Sequence, residues 1–303
     1  MIILLFVAAI SCFTLQNICF KQFSSQYMKN ATSYFMFNAI YFTIICALYV
    51  IAGVNFSLFD LAMVSLGLLF AISFVSAMFF YMKAMEHGPL GLSFLFFSAG
   101  LLMPVAFGII FYGDPAPPHK FVGLVILAVA FYISTRGGDK KRNRRESSQL
   151  NADSNKVSRK WIVYILLGSL GNGAIGIAIK LCRIVISEEA LIEFLFLGFG
   201  QAAIISLGIG CFLIWRFRSS ISHFRAFPFA LVALGAAVST AAGNYATVAL
   251  SLRISALVQF PIVSGFLVIT AILTSRIVYK EPVTKRHMVT IVTGLIGIIL
   301  LSL

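Results

Sequence analysis

Ten apolar runs, separated by short polar breaks, limit what this chain can fold into more than any other feature. They are Ile2–Phe20, Tyr34–Ile51, Leu61–Tyr81, Pro89–Tyr112 and Phe121–Thr135, then Trp161–Leu181, Ala190–Trp215, Phe227–Leu250, Ala256–Tyr279 and Met288–Leu303. A helix needs about 20 apolar residues to cross about 30 Å of hydrocarbon, and backbone in lipid must satisfy its own N–H and C=O groups. The runs therefore predict an all-α membrane protein with ten transmembrane helices. The fifth and tenth are the shortest. The first follows Met1 with no basic leader and no small-residue cleavage site, so it reads as a span rather than a signal peptide. Composition agrees: 60% of the 303 residues are hydrophobic and 11% charged, where a soluble domain carries about 45–50% apolar and about 25% charged residues.

One long polar stretch interrupts this pattern. Residues 136–160 read RGGDKKRNRRESSQLNADSNKVSRK, with nine Lys/Arg and three Asp/Glu. It divides the chain into an apolar half at 1–135 and another at 161–303. With ten spans, its face of the membrane also carries Lys21, Lys29, Lys83, Arg216, Arg218, Arg225, Arg276, Lys280, Lys285 and Arg286, while the opposite face carries only Lys120, Lys180, Arg183 and Arg253. The positive-inside rule then places the 136–160 linker in the cytoplasm and both termini outside. This predicts a multi-pass protein of the plasma membrane, its basic linker beside anionic lipid. A basic cluster tethered between spans is a topology signal, so no nucleic-acid partner is expected.

The halves repeat. Phe20-Lys21 corresponds to Ile179-Lys180 at an offset of 159, Leu66-Gly67 to Leu234-Gly235 at 168, and Tyr112-Gly113-Asp114-Pro115 to Tyr279-Lys280-Glu281-Pro282 at 167. Five spans per half is an odd number, so each half enters the membrane from the opposite face and the two repeats are inverted. Inverted repeats can adopt two related conformations around a site at the midplane.

Tyr81-Met82-Lys83-Ala84, Gly88-Pro89, Leu102-Met103-Pro104-Val105 and Gly113-Asp114-Pro115, with Leu250, Ser264-Gly265 and Tyr279-Lys280-Glu281-Pro282 in the second half, carry a resemblance. This doubled pattern resembles the EamA-like branch of the drug/metabolite transporter superfamily. A lysine closing the first span of each half is another trait in common. The resemblance implies a ten-helix secondary carrier with a central cavity lined mainly by spans 1–4 and 6–9, with spans 5 and 10 as scaffold. The chain departs from the pattern at Asp114, where glutamate is usual, and at Ala271, which faces Pro104 in the repeat while Pro261 stands earlier in its span.

No enzymatic signature accompanies this. His87, His119, His223 and His287 lie at loop edges, and there is no HExxH, GxSxG or glycine-rich phosphate loop. The five cysteines lie within or at the ends of apolar runs without metal-ligand spacing, so neither a metal nor another cofactor is expected. The informative residues are polar side chains inside spans, because an amide in hydrocarbon is costly without a partner. Gln16, Asn17, Asn38, Tyr41, Ser76, Ser98, Asn172, Gln201, Asn244 and Tyr245 are the candidate substrate-binding residues. Two uses compete for them: bonds between helices, or the lining of a wet cavity. The glycines at 168, 171, 173 and 176 likewise suit close packing or a backbone exposed to solute. Glu193 is the one acid clearly inside an apolar run, either as a solvated helix end or as a gate or proton site. These residues point to a secondary transporter of a small neutral or zwitterionic metabolite, such as an amino acid. The alternative is a non-transporting scaffold or partner subunit with a packed interior.

Overall fold

The computed structural model describes residues 2–88, 90–101, 103–104, 107, 110–111, 118–135, 158–185, 190–217, 227–254, 256–280 and 285–302. Residues 136–157 of the basic linker lie outside these, as do Leu102, Val105, Asp114, Glu281 and Pro282 of the repeated motif. Among the described residues there is helix and no strand. The helices are α1 (Ile2–Gln26), α2 (Ala31–Ile51), α3 (Leu61–His87), α4 (Leu90–Ser98), α5 (Pro118–Thr135), α6 (Arg159–Val185), α7 (Leu191–Phe217), α8 (Phe227–Arg253), α9 (Ala256–Ile277) and α10 (Lys285–Ser302).

Several helices start at a polar cap at the edge of an apolar run. Asn30 Oδ1 accepts from Ser33 N–H at 2.8 Å before α2, Asp60 Oδ1 from Met63 N–H at 2.6 Å before α3, and Ser158 Oγ from Trp161 N–H at 3.1 Å before α6. Each satisfies an otherwise orphaned N–H of the first turn. The helices also outrun the apolar stretches. α1 continues past Phe20 to Gln26, and α3 past Tyr81 to His87, because a helix can extend into the polar interface once started. Among the described residues six helices are long and apolar enough to cross a membrane: α1, α2, α3, α6, α7 and α8. Shorter apolar stretches occur at Ile262–Ile277 and Met288–Gly297. The chain is an all-helical protein of membrane type with several apolar helices.

The most extensive packing joins the two halves. α1 lies on α8, α2 on α7, α3 on α6 and α5 on α10, with α4 set against α6 and α9. Exchanging each helix for the one five places along maps these contacts onto themselves. The α1–α8 pair becomes α6–α3, while α2–α7, α4–α9 and α5–α10 each become themselves.

The outward faces are apolar stripes at helical spacing. Val64, Leu68 and Ile72 are exposed on α3, as are Leu231, Leu234 and Val238 on α8. Inside, rings pack in depth: Phe23 stacks on Phe37 with centroids 3.9 Å apart, and Phe37 on Tyr41 at 5.4 Å.

The fourth apolar run is not one continuous helix. α4 ends at Ser98 and a 3-10 turn covers Ala99–Leu101. Pro104 explains the position. A proline has no N–H for the carbonyl four residues before it, and its ring crowds that carbonyl. Here that residue is Gly100, inside the turn. Gly100 also packs closely on α6, since a methyl group there would stand 2.0 Å from the Ser169 carbonyl oxygen. The α6 glycines serve this packing. A methyl at Gly171 would meet Ala77 Cα of α3 at 2.8 Å, and one at Gly173 would meet the Gly100 carbonyl oxygen at 2.6 Å. Gly176 packs against the Pro104 ring and also borders the cavity described next.

Candidate functional site

A cavity open in part to the exterior lies between the halves, with about 820 Å³ of empty space when the open solvent at its mouth is counted. α1 contributes Phe13, Gln16, Asn17 and Phe20; α3 contributes Phe74, Met78 and Tyr81; α4 contributes Phe94, Phe97 and Ser98. From the second half come Asn172, Ile175, Gly176 and Ile179 of α6, Asn244 and Thr247 of α8, and Val263, Ser264 and Leu267 of α9. The three helices of each half correspond under the five-helix exchange. Residues 13, 16, 17 and 20 of α1 map onto 172, 175, 176 and 179 of α6 at an offset of 159, the offset at which Lys21 matches Lys180. The same face of each first helix looks into the cavity, with different side chains: Phe13 on one side answers Asn172 on the other.

None of these lining residues is charged. The polar ones are amides and hydroxyls held by local bonds. Gln16 Nε2 donates to Thr240 Oγ1 at 2.7 Å, and Tyr81 Oη donates to Asn17 Oδ1 at 3.0 Å. Asn172 Nδ2 donates to the Phe97 carbonyl at 3.0 Å, and Asn244 Nδ2 to the Thr240 carbonyl at 2.9 Å. Ser98 and Thr247 donate to Leu95 O and Gly243 O, each at 2.8 Å. Aromatic rings fill the space between. Tyr81 stacks on Phe97 with centroids 4.3 Å apart. Such a wall can hold a solute of mixed polarity by a few directed bonds and apolar contact, the usual composition of a small-molecule site. Among the described residues no cluster of three or more His, Cys, Asp or Glu could hold a metal.

Of the ten candidate residues, the cavity brings together Gln16, Asn17, Ser98, Asn172 and Asn244. The other five lie outside its lining. Asn38 is fully buried on α2 with neither amide atom hydrogen-bonded, and the Tyr41 hydroxyl is likewise buried and unpaired. Ser76 bonds back to Ile72 O of its own helix at 2.8 Å. Gln201 Nε2 donates to Val64 O at 3.1 Å, tying α7 to α3. Tyr245 is 43% exposed and continues the outward stripe of α8. Sequence reasoning left out Thr247 and the ring wall of Phe13, Phe20, Phe74, Phe94 and Phe97. Tyr81 and Ser264 were visible in the doubled motif and were not counted as site residues.

Two charged residues are held by bonds to main-chain groups. Glu193 is 3% exposed rather than solvated. Its Oε1 accepts from the Asn55 N–H at 2.8 Å, and Oε2 has no partner. The α2–α3 loop folds over the start of α7, with Phe56 and Phe59 packed on Phe196 at 5.7 and 6.1 Å. Lys21, which closes the first apolar run, donates to the Met85 carbonyl at 3.1 Å in the last turn of α3, where a cation meets the negative end of the helix.

No family model and no curated protein matches the chain. Solved structures do. A crystal structure of a protein aligns with 98% of this chain and 94% of its own, with a TM-score of 0.63 at 13% identity. At that identity the likeness concerns the fold alone, and it extends over nearly the whole chain.

Proposed function

We propose that this protein is a secondary transporter of a small organic solute, working by alternating access between two inverted five-helix repeats. The observation that carries the reading is the cavity. It lies between the halves, is built from three corresponding helices of each, and presents neutral amides and hydroxyls among aromatic rings. A packed scaffold has no use for such a lining, whose amides and hydroxyls keep hydrogen-bonding capacity beyond their bonds within the protein. The contacts that survive exchange of the halves support the repeat, because two conformations can then be built from the same helix pairs. In this reading all ten helices span the plasma membrane, the 136–160 linker is cytoplasmic, and the chain is an EamA-like member of the drug/metabolite transporter superfamily. Lack of charge in the wall fits a neutral or zwitterionic solute better than a polyvalent anion, and no catalytic role is proposed. Purified protein in proteoliposomes tests this. Uptake and counterflow of amino acids, nucleosides, sugars or amines is the expected result, and a panel with neither flux nor counterflow would remove the carrier reading.

A further inference from the structure

Two polar side chains sit behind the cavity wall with nothing to bond to. Asn38 and Tyr41 are three residues apart on α2, hence on one face of it, and both are fully buried. Among the described residues nine buried side-chain atoms lack a hydrogen-bond partner, and three of them are the two amide atoms of Asn38 and the Tyr41 hydroxyl. The Tyr34 hydroxyl, beside Asn38, donates instead to the Val75 carbonyl at 2.6 Å. The Tyr41 hydroxyl lies beside Thr240 without bonding to it. An apolar side chain of similar size would be more stable at either position, because a buried polar atom without a partner has lost its bonds to water and gained none. The pair points to an occupant that this conformation excludes.

The way in runs past α1. Gln16 and Phe20, one turn apart, both line the cavity. The Phe20 ring meets the Tyr41 ring edge-on, with centroids 5.8 Å apart. Gln16 Nε2 donates to Thr240 Oγ1, the group beside the Tyr41 hydroxyl. One ring and one amide thus separate the cavity from the orphaned groups. Both are side chains, which can change rotamer without moving the backbone.

We propose that Asn38 and Tyr41 form a second compartment of the solute site, closed in this conformation by Gln16 and Phe20, which takes a neutral hydrogen-bonding group of the solute such as a hydroxyl or an amide. A carboxamide and a phenol can each donate and accept, so the compartment suits groups that do both. An ion entering it would lose its water beside a helix, α2, that carries no Asp, Glu, Lys or Arg. The proposal rests on reading the cavity as the solute site.

The test is thiol labelling of the full chain in lipid nanodiscs with three methanethiosulfonate reagents, bearing hydroxyethyl, sulfonatoethyl or trimethylammonioethyl groups. Mass spectrometry locates the label, so the five native cysteines do not interfere. Asn38→Cys is expected to react with the hydroxyethyl reagent, more slowly than Ser98→Cys in the cavity wall. Ala130→Cys, buried on α5 outside the lining, should not react. Relative to their rates at Ser98→Cys, the charged reagents should be roughly tenfold slower than the neutral one at position 38. Adding Phe20→Ala should speed labelling there. Tyr41→Phe removes only an unpaired hydroxyl, so its Tm should not fall. An unreactive Asn38→Cys, charged reagents that match the neutral one, labelling indifferent to Phe20→Ala, or a lower Tm for Tyr41→Phe would each overturn the proposal. Labelling does not require transport, so proteoliposomes without flux would remove the carrier reading and leave the compartment standing as a binding pocket.

Discussion

Asn244 and Tyr245 are neighbours in sequence and opposites in the structure. Consecutive helical residues point about 100° apart, so Asn244 enters the cavity while Tyr245 joins Leu231, Leu234 and Val238 on the outside. Asn172→Leu and Asn244→Leu are expected to lower the initial uptake rate by roughly tenfold at low solute, the loss of one hydrogen bond to the solute. Gln201→Leu and Tyr245→Leu should leave the KM for counterflow unchanged, since neither residue borders the cavity. The sequence distinguishes these pairs poorly. A polar residue within an apolar run is conspicuous, yet whether it ties helices together or faces a solute depends on its neighbours in space. Half of the candidates line the cavity for that reason. The aromatic wall was harder still, because a phenylalanine in a membrane helix looks the same facing lipid, core or cavity. The offset of 159 was the available signal: it pairs the face holding Gln16 and Asn17 with the face holding Asn172.

At the scale of elements, the glycines of α6 were legible as a stripe but not as two separate contacts. Gly171 serves α3, and Gly173 serves the turn before Pro104. Gly171→Val and Gly173→Val are expected to cost about 1–3 kcal/mol through overpacking, read as a lower Tm in detergent. Gly208→Ala is the control. Nothing lies within 4 Å of a methyl group there, so its Tm should not fall. The hold of Glu193 on the α2–α3 loop was not legible at all, since its partner is a backbone N–H 138 residues away. Glu193→Gln keeps an acceptor for Asn55 and should preserve the loop. Glu193→Leu leaves that N–H unpaired at a cost of about 1–3 kcal/mol. Faster hydrogen exchange over residues 52–60 in the leucine variant alone would bear this out.

For the whole molecule, two halves and an apolar, helical fold could be read directly from ten hydrophobic runs and one polar stretch. The pairing of helices could not, because hydrophobic runs of similar composition carry no address for their partners. The structure pairs helices mainly across the halves, α1 with α8, α2 with α7 and α3 with α6. Neither half should therefore be stable by itself. Residues 1–150 and 151–303 expressed together, with a tag on one, are expected to co-purify, and each expressed alone should be degraded. Recovery of either half as a folded monomer would contradict the pairing.

That arrangement also sets a timetable for biogenesis. α1 is complete at residue 26, but α8, its principal partner, is not finished until residue 253. At ribosomal speeds of about 5–20 residues per second, the wait is roughly 10–50 s. For that interval the polar groups of the early helices that bond across the halves, such as Gln16 with Thr240, are made before their partners exist.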